Sequence, residues 1–143
     1  LIAVSALTLQ GDGIAPPSFS TCKLPQASSV TEKIEDLPKP IQGQITTMLP
    51  DLASRGAKFQ EGDVVADSSL PRRRFVGALH HENYWVVSYE HNQGNVYHIH
   101  TVTFIGNGED NYTVIPHGNL TGPLCAAVNA ALSGVRSSDP GHF

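Results

Sequence analysis

The chain has 143 residues, of which 40 % are apolar and 15 % charged. That balance excludes a coiled coil, a charge-driven disordered tail and a collagen-like fibre. A net charge of −4 removes the basic footprint that nucleic-acid binding needs, and no run of about eighteen apolar residues is present to cross a membrane as a helix. The length predicts one domain over residues 1–143.

The segment Leu1 to Leu9 has the apolar character of a leader core but no basic region before it. It reads as a strand at a sheet edge, and such a strand could also be donated to a neighbouring copy in a homo-oligomer. Residues 1–28 as a whole read as an extended arm, punctuated by Gly11, Gly13, Pro16, Pro17 and Pro25. Two cysteines, Cys22 and Cys125, and only four lysines point to one disulfide and an oxidising compartment, periplasmic or secreted. The other reading makes them two free buried thiols. A bridge closing a loop of about 100 residues stabilises by up to ~4.7 kcal/mol in the chain-entropy account.

Residues 29–56 read as helical. Ser29 and Glu32 have capping-box spacing, which predicts a short helix to Asp36 before Pro38 and Pro40 interrupt it. Ile41, Ile45, Met48, Leu49 and Leu52 then recur at offsets of three and four, predicting an amphipathic helix over 40–55. Pro50 predicts a break within it, and Gly56 a C-terminal cap.

Residues 73–116 change to strand character. Three β-rich runs, 74–80, 84–91 and 95–105, are separated by His81-Glu82-Asn83 and Asn92-Gln93-Gly94. Read as three-residue hairpin loops, these place Leu79 opposite Trp85, Phe75 opposite Tyr89 and Tyr89 opposite Tyr97. The inward face is then Phe75, Leu79, Trp85, Val87, Tyr89, Tyr97, Ile99 and Ile105. A two-residue turn at either loop would flip the parity of the pairing. A short strand at 112–115 follows, and then a helix over 123–133 with Pro123 in its first turn and Gly134 behind it. The fold class predicted is α+β, an antiparallel meander of four to five strands with the N-terminal and C-terminal helices packed on its aromatic face. Trp85, Tyr89, Ile99, Ile45, Met48 and Leu132 are expected to share one core.

Five of the seven histidines lie between His80 and His100. In a strand, His98 and His100 project to the same side about 7 Å apart, a spacing that one metal ion can use. In the register above Glu90 lies diagonal to His98, with Arg74 across from Glu90. A zinc or copper ion held by His98, His100 and Glu90 is one reading, and would suit a metal-binding protein or a metal-dependent hydrolase. The plainer reading makes these histidines polar residues on a wet sheet face. The third reading rests on their company, because Val76, Ala78, Val86, Val96 and Val102 make that face half apolar, as a face covered by another molecule often is.

The remaining chemistry is thin. His80-His81 reads as an exposed turn pair, His117 as a loop residue and Arg72-Arg73-Arg74 as a solvated strand entry. The sequons at Asn111 and Asn119 matter only in a eukaryotic secretory setting. No nucleophile elbow, phosphate loop, paired-cysteine zinc motif or helical zinc motif is present. Ser88, His98 and Glu90 can be drawn as a nucleophilic set, but neighbouring strand residues seldom supply an aligned triad with an oxyanion hole. The sequence therefore predicts a small exported protein without catalytic activity or cofactor. It is expected to act as a binding or inhibitor-type module, meeting a partner protein through Arg74, Ser88, Glu90, His98 and His100. A metal protein and a structural assembly subunit are the alternatives.

Overall fold

The computed structural model describes residues 16–61, 68–93 and 96–139. The strand expected at Leu1–Leu9 lies outside the described residues.

The arm carries one 3-10 turn, Phe19–Thr21, whose entry is fixed by the Ser20 N–H donating to the Ser18 hydroxyl. Cys22 at the end of that turn is bonded to Cys125, 103 residues away. The helix expected from Ser29 to Asp36 does not start at Ser29, and only its end is helical, as the 3-10 turn Ile34–Asp36. Ala27 takes φ 62°, and the Ser28 hydroxyl donates to the Pro25 carbonyl at 2.7 Å, turning the chain. Ser29–Thr31 then becomes strand β1, paired antiparallel with residues 78–80. Tertiary pairing of Val30 and Thr31 has overridden the capping-box spacing, and Glu32 reaches Arg55 at 3.5 Å instead.

Helix α1, Lys39–Met48, starts with Pro40 in its first turn and ends where Pro50 removes the next amide. It is shorter than the 40–55 expected. Leu52–Ala53 is a two-residue strand, β2, and Gly56 closes a turn outside the helix rather than capping it. Three long strands follow: β3 Arg73–His81, β4 Tyr84–Gln93 and β5 Val96–Gly106. The short strands β6 Tyr112–Val114 and β7 Leu120–Thr121 precede helix α2, Leu124–Leu132. Gly134, at φ 86°, ends α2 by donating its N–H to the Ala131 carbonyl, while the Val135 N–H reaches Ala130.

The sheet runs β1-β3-β4-β5-β6, with β2 also on β3 and β7 also on β5. Every pairing is antiparallel except the short β2–β3 contact. The fold is α+β, an antiparallel meander with one helix before it and one after.

Register differs from the expected one. His81 pairs with Tyr84, and Gln93 pairs with Val96, so two residues rather than three intervene at each turn. In β3 an irregularity between Phe75 and Gly77 absorbs the shift, and Phe75 still faces Tyr89. In β5 nothing absorbs it: Tyr89 faces His100, not Tyr97. Every described side chain of β5 therefore sits on the face opposite to the one expected.

The sheet accordingly has two buried faces. On one, Leu37, Ile41, Ile45 and Leu49 around α1 pack against Phe75, Ala78, Trp85, Val87, Tyr89, Val102 and Phe104. On the other, Phe19 and Leu124, Val128 and Ala131 of α2 pack against Val76, Leu79 and Val86, with Ile99 and Leu132 at the margin. The two helices thus divide between the faces, and the single core expected to unite Trp85 with Ile99 and Leu132 is split. A sheet apolar on both sides needs two covers, since each large side chain withdrawn from water contributes about 1.5–3 kcal/mol.

The irregularity in β3 explains Gly77. A Cβ at this position would stand 2.7 Å from Cε2 of Phe19, a ring only 2 % exposed. Gly77→Ala is expected to lower stability by about 1–3 kcal/mol through overpacking, read as a lower urea midpoint. Adding Phe19→Leu should return part of that loss; a Gly77→Ala protein as stable as wild type would refute the close fit.

Candidate functional site

The register shift decides where each candidate side chain ends up. Arg74, Ser88 and Glu90 do not form an outward surface: they are 4 %, 0 % and 0 % exposed. They lie on the α2 side of the sheet, the side of Ile99. Arg74 clamps Glu90 with two parallel bonds, Nε to Oε2 at 2.6 Å and Nη2 to Oε1 at 3.0 Å. The Tyr97 hydroxyl donates to the same Oε1 at 2.7 Å. Arg74 also donates to Glu61 and to the Ala57 carbonyl, and its guanidinium lies 4.3 Å over the Phe59 ring. Ser88 shares a hydrogen bond with its cross-strand neighbour Thr101. Burial opposes the charge of Arg74, but the Glu90 contacts outweigh it and hold the guanidinium pKa above its ordinary value. Burial, reinforced by the hydrogen bond to Glu90, likewise pushes the Tyr97 phenol up. This network ties residues 57–61 to the sheet, and of its members Tyr97 is the most exposed, at 37 %.

His98 and His100 lie on the other face. Glu90 pairs with Ile99 and His98 with His91, so Glu90 points away from both histidines and cannot share an ion with them. His91 takes its place. The ring centroids of His91 and His98 are 5.5 Å and 5.8 Å from that of His100, and His100 stacks on Tyr89 at 5.1 Å. Among the described residues, however, no three His, Cys, Asp or Glu side chains are placed to hold one metal ion.

His100 is the most constrained of the three. It is 8 % exposed, and its Nε2 is buried without a hydrogen-bond partner among the described residues. Burial is the main cause that drives its pKa down to about 4, and His91, His98 and Arg73 add to it by repulsion. His91 moves the same way, by burial first and then by the charge of Arg73. Asp51, paired with Arg73 and accepting the Arg72 N–H, partly offsets that charge.

The sign of the pH effect follows. An ordinary histidine in the unfolded chain takes its proton near pH 6.5, and His100 in the native state near pH 4. The native state's advantage is complete above the first value and is lost as pH falls towards the second, a change of up to about 3 kcal/mol. Urea midpoints of wild type should fall between pH 7 and pH 4, and His100→Phe, which keeps the ring on Tyr89, should flatten that fall. Equal slopes in both proteins would remove His100 as the cause.

His98 and His100 line a cleft of about 520 Å³ with Asn119, Leu120, Thr121, Ser137 and Asp139. Three stretches of chain converge there. β5 brings the two imidazoles, and β7 docks beside them through Thr121 opposite His100. The segment after α2 folds back, with the Ser137 N–H donating to the His117 carbonyl at 2.7 Å and the Asp139 N–H to the Ser137 hydroxyl at 3.0 Å. A smaller cleft of about 290 Å³ is lined by His98 and Thr121 together with Tyr97, Ile99, Gly122 and Pro123. Asn119, Thr121, Ser137 and Asp139 belong to no periodic pattern: β7 pairing brings the first two beside His100, and the return of the segment after α2 brings the last two. His80, by contrast, stacks on Trp85 at 4.6 Å and forms no part of the cluster.

Among the described residues no helix is long and apolar enough to cross a membrane. The disulfide between Cys22 and Cys125 suits an oxidising compartment. No protein-family model, curated protein or solved structure matches the chain.

Proposed function

We propose that the protein is an exported, non-catalytic binding protein and that the cleft over His98 and His100 is where it binds. The observation that carries this reading is the convergence of three chain segments on a polar cleft of about 520 Å³, within the size range of small-ligand sites. Docking a partner on the flat of the sheet loses its support, because α1 and α2 already occupy the two faces. Acyl transfer also loses support, because Ser88 and Glu90 lie buried on the face away from His98. Export is supported by the long-range disulfide, which a reducing cytosol would not maintain.

A thermal-shift screen of small metabolites against wild type and Thr121→Arg tests the reading. Thr121 is exposed at the cleft, so an arginine there fills the opening without entering the core. Compounds that raise the wild-type Tm by several degrees, leave the variant unmoved and are recovered unchanged support binding at this site. Compounds that stabilise both proteins alike would place binding elsewhere and overturn it.

A further inference from the structure

The chemistry of the cleft also selects the kind of ligand, an inference that rests on the binding reading above. Asn119, Thr121 and Ser137 carry groups that both donate and accept, and an imidazole nitrogen does one or the other according to tautomer. The partner that satisfies every one of them is a hydroxyl. Among the described lining residues there is no arginine or lysine to bind an anion. A divalent metal is disfavoured, because no three suitable side chains are placed around one point among the described residues. Leu120 and the edge of His98 add apolar surface suited to the C–H face of a ring.

We infer that this cleft takes a neutral polyhydroxyl ligand, a mono- or disaccharide, with its hydroxyls bonded to Asn119, Thr121 and Ser137.

The experiment is a titration of the ¹⁵N-labelled full chain, followed by amide shifts, with glucose, galactose, N-acetylglucosamine, maltose and cellobiose in separate arms. Inorganic phosphate and zinc chloride form two further arms. Saturable shifts at Thr121, Ser137 and Asp139 with at least one saccharide are expected. They should vanish in Thr121→Arg, whose side chain fills the opening from an exposed position outside the core. Shifts in this cleft with phosphate or zinc but with no sugar would overturn the ligand class and leave the binding reading standing. No shift in the cleft in any arm would overturn the saccharide assignment and count against the binding reading as well.

Discussion

Glu90→Ala is expected to destabilise the fold by about 3–5 kcal/mol, the range for stranding one partner of a buried ion pair. Glu90 is fully buried, and alanine would leave the Arg74 guanidinium inside the protein without its forked acceptor. The Tyr97 hydroxyl would lose its acceptor at the same time. The contacts of Arg74 to Glu61 at 3.3 Å and to the Ala57 carbonyl at 3.2 Å are longer than those to Glu90. Arg74→Met together with Glu90→Leu should cost far less than Glu90→Ala alone, because the desolvation penalty of both charges disappears along with their attraction. Urea denaturation of the single and double variants at pH 7 provides the comparison. A Glu90→Ala protein within about 1 kcal/mol of wild type would show that water reaches Arg74 easily, and that the network is no more than a surface pair.

Where the three long strands lie was legible, which way they face was not, and the short strands β1, β2 and β7 were not anticipated. Aromatic and β-branched residues over 73–106 marked the three long strands to within a few residues, and Pro123 with Gly134 bracketed α2. Pro38, Pro40 and Pro50 bounded α1 once its apolar spacing was seen. Parity hung on single residues in the two turns. His81-Glu82-Asn83 and Asn92-Gln93-Gly94 both suit three-residue loops, yet Glu82 takes φ 55° and the strands close around two residues. Hydrophobic alternation does not arbitrate here, because both parities of β4 and β5 carry apolar side chains: Trp85, Val87, Val102 and Phe104 on one side, Val86 and Ile99 on the other. A sheet covered on two faces loses the alternation that would otherwise fix its register.

The candidate site inherits that ambiguity. His98 and His100 were singled out by their spacing, which holds in either register. Their companions were not. Glu90 and Ser88 moved to the opposite face and into the core, while His91 arrived beside His100. Asn119, Ser137 and Asp139 come from loops and from the segment behind α2, where no periodicity announces a neighbour. Cys22 and Cys125 were the exception, a long-range contact readable from residue type alone.

Replacing both cysteines with serine should lower stability by about 2–5 kcal/mol, with ~4.7 kcal/mol as the chain-entropy figure for a loop near 100 residues. The bridge spans 103 residues and joins the 3-10 turn bearing Phe19 to the first turn of α2. Phe19 in turn covers Gly77 and belongs to the cluster with Leu124 and Val128. Without the covalent tie, the arm and α2 must hold their face of the sheet by packing alone. Loss of amide protection should therefore begin at residues 19–22 and in α2, and reach the centre of β4 last. The cleft should feel it too, because Thr121 enters α2 through Gly122 and Pro123, and Ser137 and Asp139 leave from its far end. Native-state hydrogen exchange on oxidised wild type and on Cys22→Ser/Cys125→Ser tests that order. Uniform loss of protection across β3, β4 and α2 would show that the molecule opens as one unit, and that the disulfide does not specifically brace the side of the fold from which the cleft is built.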